Sequence, residues 1–168
     1  TKYHNPVLLS ECLEGLNIDS NGVYVDVTFG GGGHSRAILS KLNGGHLYAL
    51  DQDEDSLEND IDHDCFTLIN ANFRYLKNSL RMYGVNEVDG LLADLGVSSH
   101  QIDVADRGFS MRFEANLDMR MDQNAELDAY KVLNNYEQDQ LLDVLKYYGE
   151  LKRPEAIARV IFEAKQNK

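Results

Sequence analysis

The sequence predicts an α/β fold of the Rossmann-like kind, in which helices flank a parallel sheet. An apolar strand, residues 23–29, runs into four consecutive glycines, and a helical pattern begins at Ser35. Apolar runs and helical patterns then alternate, as expected of strands joined by crossover helices. Asp51 ends the second apolar run, 21 residues after Gly30. An acid at that point is placed to accept hydrogen bonds from the ribose of a nucleotide-like ligand.

The glycine run discriminates between ligand classes. Dinucleotide-binding folds place glycine at the first, third and sixth positions, but the sixth position counted from Gly30 is Ser35. The pattern Asp26-x-x-x-Gly30-x-Gly32 is typical of methyltransferases that bind S-adenosylmethionine (SAM). The sequence therefore favours SAM over a nicotinamide cofactor. The alternative is that the four glycines form only a glycine-rich hairpin or a flexible loop. The acid Asp51, at the spacing expected of a ribose-binding residue, disfavours that alternative.

Composition limits the function classes. The chain has 168 residues, 43% of them hydrophobic, which suits one soluble domain. No apolar run approaches the roughly 20 residues of a membrane span, and no signal peptide is recognisable, so we expect a cytoplasmic protein without a membrane partner. The net charge of −12 argues against a general nucleic-acid binder. Eight acids are concentrated in residues 51–64, however, so a local RNA site stays possible.

The residue patterns do not predict a metal site. Cys12 and Cys65 are isolated, so they do not form the paired spacing of a zinc site. The alternating acids that begin at Asp51 place Ser56 and Asp62 where a calcium loop needs Gly and Glu. We interpret these acids as a solvated helix face near a helix N-terminus, where the helix dipole favours negative charge.

The order of elements follows from hydrophobic periodicity. The predicted strands are residues 23–29, 46–50, 66–69 and 88–95. The predicted helices end near residues 16, 42 and 82, and three more cover residues 127–133, 136–147 and 153 onward. In the last helix, Ile157, Val160 and Ile161 are predicted to face inward.

The end of strand four is a candidate reaction centre. It reads Asp94-Leu-Gly-Val-Ser-Ser-His-Gln101 and borders the switch point across from strand one. Enzymes that methylate exocyclic amines commonly place Asp or Asn there, because an acceptor must hold the amine protons. Asp94 could supply that acceptor. Phe73, at the end of strand three, is predicted either to pack in the core or to stack on the adenine of a cofactor.

Residues 105–122 have no clear period and mix Arg, Phe, Met and Asp. A long irregular segment after a catalytic strand is typical of a functional lid. We predict that it binds substrate, through Arg107, Phe109, Arg112 and Arg120.

Several motifs occur together along nearly the whole chain. They are His4-x-Pro-Val-Leu8, Asp26-x-Thr-Phe-Gly-x-Gly-Gly-His-Ser35, Asp51-x-Asp53, Asp94-Leu-Gly-Val-Ser-Ser99, Arg107-Gly-Phe-Ser110, Leu117-Asp-Met-Arg-Met-Asp122 and Ile157-Ala-Arg159. In this combination the chain resembles the bacterial 16S ribosomal RNA cytosine-N4 methyltransferases, the MraW family. One departure is His100, which stands before Gln101 where the family usually has Pro.

The resemblance implies SAM-dependent N4-methylation of a cytidine in the decoding region of 16S rRNA, within the small ribosomal subunit. It implies catalytic roles for Asp94, Ser98 and His4. The implied cofactor contacts are Gly30, Gly32, Gly33, His34, Asp51, Phe73, Asp94 and Gln101. The residues alone keep two alternatives open, a SAM-binding but catalytically incomplete fragment and, less favoured, a nicotinamide-dependent oxidoreductase.

The resemblance also implies a domain plan. Residues 1–105 would form the SAM-binding core, residues 106–125 an active-site lid, and residues 126–168 part of a helical, substrate-recognising insertion. Family members are longer and complete the sheet with further strands, so we expect this chain to end inside the insertion. The sheet would then have the order 3-2-1-4. The bare edge of strand four predicts either self-association or disorder after about residue 105.

Overall fold

A computed structural model describes residues 6–166, which form two compact units. One comprises residues 6–99 and 121–123, and the other residues 100–120 and 124–166. The first unit holds α1 (Leu9–Leu16), β1 (Val23–Asp26), α2 (Gly33–Leu39), β2 (His46–Asp51), a 3₁₀ helix (Glu54–Asn59), β3 (Phe66–Asn70), a 3₁₀ turn (Phe73–Tyr75), α3 (Leu76–Met82) and β4 (Gly90–Leu92). The helix α4 (Ser99–Asp103) begins where the second unit begins.

The four strands form one parallel sheet in the order β3-β2-β1-β4. In its register Tyr24 lies opposite Leu47 on one side and Gly90 on the other. The predicted Rossmann-like architecture and the strand order 3-2-1-4 are therefore confirmed. Because all strands run the same way, their carboxyl ends meet at one edge of the sheet.

Both faces of the sheet are buried, as is usual for parallel sheets. Tyr24, Leu47 and Ala49 pack on one face, with Ile38 of α2 and flanking residues of α1. Val25 and Leu50 pack on the other, with Leu80 of α3. Neighbouring residues of β1 and β2 thus point to opposite faces, which explains why both strands are almost continuously apolar.

Asp26 ends β1 because its own carboxylate turns the chain. Asp26 Oδ1 accepts from the Thr28 N–H over 3.0 Å, so the predicted strand 23–29 ends three residues early. Strand four is also shorter than the predicted 88–95. The Asp94 N–H donates to Thr28 Oγ1 over 2.8 Å instead of continuing the ladder.

The second unit is helical. It contains a 3₁₀ turn (Ala105–Arg107), α5 (Ala129–Asn135), α6 (Gln138–Tyr147) and α7 (Pro154–Gln166), and α6 packs against α7. Leu141 of α6 and Ala158 of α7 are its most buried apolar residues. The predicted inward face of the last helix is wrong in part, because Ile157 and Val160 are 40% and 60% exposed. The described helices include none that is long and apolar enough to cross a membrane.

Candidate cofactor and catalytic site

The glycine turn connects β1 to α2 and has two open positions. Gly30 and Gly32 have φ values of +50° and +73°, which favour glycine. At Gly32 a Cβ would also lie 2.9 Å from the Phe29 ring, and at Gly33 it would lie 2.4 Å from Pro6 Cγ. A Cβ at Gly30 or at Gly31 would meet nothing within 4 Å, and Gly31 also has an ordinary φ. Open space in front of backbone is what a ligand needs to approach closely.

Asp51, at the end of β2, is joined to this turn. Its Oδ2 accepts from the Gly30 N–H over 2.7 Å, and its Oδ1 accepts from the Asp53 N–H over 2.9 Å. Burial raises the pKa of Asp51, and backbone hydrogen bonds from Asp53, Gly30 and Gln52 oppose that rise. A carboxylate has about four lone-pair sites, so Asp51 retains the capacity to accept from a hydroxyl.

Two side chains hold the carbonyl groups of the turn. Asn59 Nδ2 donates to Gly30 O over 3.2 Å, and Arg36 Nη1 donates to Gly31 O over 2.7 Å. The other arm of the guanidinium, Nη2, donates to the Asn59 backbone carbonyl over 3.0 Å. Arg36 and Asn59 therefore form a connected frame behind the turn.

The carboxylate of Asp26 lies in the core beneath the turn. Asp26 Oδ2 accepts from Ser35 Oγ over 2.7 Å, and both residues are fully buried. Burial raises the pKa of Asp26, and hydrogen bonds from Ser35 and Thr28 oppose the rise. Through Thr28, which also accepts from the Asp94 N–H, the ends of β1 and β4 are linked.

The remaining predicted residues of this unit are placed as follows. Asp94 is exposed, Phe73 is 46% exposed after β3, and Ser98 is half-buried. His34 is buried, and its Nε2 lies 3.0 Å from the Val7 carbonyl. His4 lies outside the described residues. The structure thus brings Gly30 and Asp51 into contact and connects Asp94 to the end of β1.

The predicted residues of the second unit are mostly engaged in its own fold. Gln101 and Arg107 are buried, and Arg107 Nη2 donates to the Arg120 carbonyl over 2.8 Å. The Arg120 guanidinium donates twice to Asp118 and its backbone N–H once, and these hydrogen bonds lower the pKa of Asp118. Arg112 is exposed, pairs with Asp103 over 2.7 Å and lies over the Phe113 ring. Phe109 is half-buried.

One short piece of the predicted lid belongs to the first unit. Met121 Sδ accepts from Gln52 Nε2 over 3.4 Å, and Gln123 Nε2 donates to Asp55 Oδ1 over 3.1 Å. Gln52 in turn accepts from Asn72. Residues 121–123 therefore lie beside the segment that follows Asp51.

Comparison with known proteins decides the family. The profile of the MraW methylase family matches residues 1–168. This chain belongs to the MraW methylase family. The resemblance found in the sequence motifs is thereby confirmed.

Curated relatives of this MraW-family chain share one name, "Ribosomal RNA small subunit methyltransferase H". The protein of Christiangramia forsetii is 56% identical over 99% of this chain and 55% of its own length. That of Flavobacterium johnsoniae is 56% identical over 99% of this chain and 56% of its own length. The chain therefore spans little more than half the length of these relatives. A solved structure from Anabaena variabilis matches at 18% identity over 51% of this chain and 32% of that one, with a TM-score of 0.39, which is too low to carry an argument.

Sequence patterns in this MraW-family chain did not identify Arg36, Asn59 or Thr28 as parts of the site. Asn59 is 29 residues from its partner Gly30. It lies within the acidic segment of residues 51–64, whose pattern indicates only a solvated helix face. Thr28 lies inside the glycine motif, but its partner Asp94 is 66 residues away in the sequence. The motif alone therefore does not predict this contact. Among the described residues, no cluster of His, Cys, Asp and Glu suits a metal ion.

Proposed function

We propose that this chain carries the SAM-binding and catalytic core of an enzyme that methylates N4 of a cytidine in the decoding region of 16S rRNA. The observation that supports this most is the open glycine turn joined to Asp51, in a chain of the MraW family. Family membership removes the support for a nicotinamide-dependent oxidoreductase.

The residues of the turn fit the cofactor. Open space in front of Gly31 admits a ligand close to backbone, and Asp51 keeps lone pairs for ribose hydroxyls. Phe73 is exposed at the same sheet edge, and an aromatic face suits adenine. We assign Gly30, Gly32, Gly33, His34, Asp51, Phe73, Asp94 and Gln101 to cofactor binding. Bound SAM would supply an electrophilic methyl group on a sulfonium.

The chemistry requires an acceptor for the target amine. The lone pair of a cytosine amino group is delocalised into the ring, so the amine is a weak nucleophile. An acceptor that holds an amine proton favours a more tetrahedral nitrogen in line with the methyl group. Asp94 is exposed, and its backbone is fixed by Thr28, so it suits this role. We propose Ser98 and His4 as further catalytic residues.

The substrate proposal rests on the relatives' name and on the second unit. Ribosomal RNA of the small subunit is the substrate that the name indicates. The net charge of −12 disfavours strong binding of free RNA, so we propose the assembled subunit as substrate. Arg112 is the predicted RNA contact with the most exposed charge, whereas Arg107 and Arg120 shape the loop.

The first test is calorimetric titration of this chain with SAM. Asp51→Ala removes the acceptor for ribose, and hydrogen bonds to a charged group contribute about 1.5–3 kcal/mol, so affinity should fall at least tenfold. Asp62→Ala, which removes an exposed acid from the same acidic segment, should bind as the parent does. Equal affinity in parent and Asp51→Ala would contradict the assignment of this site.

The second test is methyl transfer to purified small subunits. Asp94→Ala should lower kcat at least a hundredfold if Asp94 is the acceptor, because removal of one such group typically has that effect. A parent chain that binds SAM but transfers no methyl group would instead support the incomplete-fragment alternative. A protein of the relatives' full length is the positive control.

A further inference from the structure

We infer that Asn59 and Arg36 are positioning residues for the cofactor, which orient the Gly31 N–H toward an anionic group of the ligand. This inference rests on the proposed function, because it concerns the same SAM site. Neither residue belongs to the motifs that identify the family in the sequence.

Side chains fix consecutive peptide groups of the turn. The Gly30 N–H donates to Asp51 and the Gly30 carbonyl accepts from Asn59. The Gly31 carbonyl accepts from Arg36, and the Gly32 N–H donates to the Phe29 carbonyl over 2.7 Å. Within residues 6–166 the Gly31 N–H alone of this series donates to no acceptor.

The direction of that donor follows from peptide geometry. In a trans peptide group the carbonyl and the following N–H point in opposite directions. The described peptide bonds are all trans. Because Asn59 holds the Gly30 carbonyl on one side, the Gly31 N–H must point to the other side. Gly31 is itself exposed.

Arg36 makes the frame rigid. Its two guanidinium nitrogens reach the Gly31 carbonyl and the Asn59 carbonyl at once, a fork that lysine lacks. Arg36 therefore fixes Asn59 as well as the turn.

The chemistry of the ligand identifies the group. SAM has a carboxylate on its amino-acid part, whereas its adenosine part has no anionic group. A backbone N–H donates well to a carboxylate, and such charge-assisted hydrogen bonds are about twice as strong as neutral ones. The frame of Arg36 and Asn59 should therefore act on the amino-acid end of the cofactor, and Asp51 on the ribose.

The experiment compares two ligands by calorimetry on the full chain. S-adenosylhomocysteine keeps the amino-acid carboxylate, and 5′-methylthioadenosine keeps the adenosine and thioether but lacks the amino-acid part. Asn59→Asp is nearly isosteric but has no donor for the Gly30 carbonyl. It should weaken S-adenosylhomocysteine about tenfold and 5′-methylthioadenosine less than twofold. Asn59→Gln, which keeps a donor, should recover part of the loss.

Arg36→Lys should show the same selectivity, because lysine lacks the planar fork whose two nitrogens reach both carbonyls. Asn78→Asp is the matched control, since it makes the same chemical change at an exposed position of α3. Variants that weaken both ligands equally would show a merely structural role and overturn the inference. Variants that bind both ligands as the parent does would overturn it too. A parent that binds neither ligand would overturn the proposed function itself, and the inference with it.

Discussion

At the scale of single residues, buried charge is the main feature of this site. Asp26 is fully buried at the end of β1, and its carboxylate accepts hydrogen bonds from Ser35 and Thr28. Burial disfavours the charged form, so folding raises the pKa of Asp26 above its ordinary value of 3.8. The folded protein therefore binds the proton more tightly than the unfolded chain does. Its stability must depend on pH for this reason.

The direction of this pH dependence of stability leads to a prediction for the variant Asp26→Asn. Below the unfolded pKa both states are protonated, and as pH rises through the folded pKa the parent loses stability, by at most about 1.4 kcal/mol per pH unit. The variant lacks this loss, and its amide still fits the hydroxyl of Ser35. Urea unfolding between pH 4 and 7 should therefore show the stability of the variant rising relative to the parent as pH increases.

The control for Asp26→Asn is Asp62→Asn, which removes an exposed charge. Its stability relative to the parent should stay level over the same pH range. If the difference between Asp26→Asn and the parent were also constant with pH, the buried carboxylate would not be titrating in the way its surroundings require.

At the scale of elements, the segment after α4 is more structured than its sequence indicates. The Met119 N–H donates to the Arg107 carbonyl, and Ala129 and Tyr130 donate to the carbonyls of Asp118 and Leu117. Gly108 permits this closure, since its φ is +73° and a Cβ there would lie 2.5 Å from the Asn116 carbonyl oxygen. Sequence periodicity cannot detect such contacts, because they join irregular backbone.

Gly108→Ala should therefore open this segment. The added methyl group meets backbone that must move, and the left-handed conformation is unfavourable for alanine, so the loss should be about 1–3 kcal/mol. Amide hydrogen exchange at Met119 and Ala129 should accelerate at least tenfold. Gly15→Ala, where nothing lies within 4 Å, should leave both amides unchanged. Unchanged exchange in Gly108→Ala would mean that the segment tolerates the methyl group.

The sequence was informative about elements to different degrees. The glycine turn was predictable because motif spacing is a local signal, whereas the strand order followed from the resemblance to the family. The ends of β1 and β4 were not predictable, because side chains of Asp26 and Thr28 take backbone hydrogen bonds that the ladder would otherwise use. The buried face of α7 was also mistaken. Small Ala158 is buried there, while the larger Val160 is exposed.

At the scale of the whole molecule, the sheet ends at β4. Among the described strands β4 pairs only with β1, and Leu91, Leu95 and Val97 are 46%, 69% and 48% exposed. An apolar strand edge of this kind favours pairing with a second chain. We therefore predict that this chain self-associates through the β4 edge.

Sedimentation velocity tests this prediction. The parent should form dimers or larger species as its concentration rises, and Leu91→Lys should shift it to the monomer because a charged edge resists pairing. Leu57→Lys makes the same change at an exposed leucine outside the sheet and should associate as the parent does. A parent that stays monomeric at every concentration would contradict the prediction.

The alternation of the two units along the chain limits how the protein can be dissected. Residues 121–123 return to the first unit between two stretches of the second, so the chain crosses the boundary three times. A shortened chain that stops after Ser99 would lack Met121 and Gln123, the partners of Gln52 and Asp55. The sheet unit is therefore not a continuous module, and exchanging it between relatives would require both segments to be transplanted together.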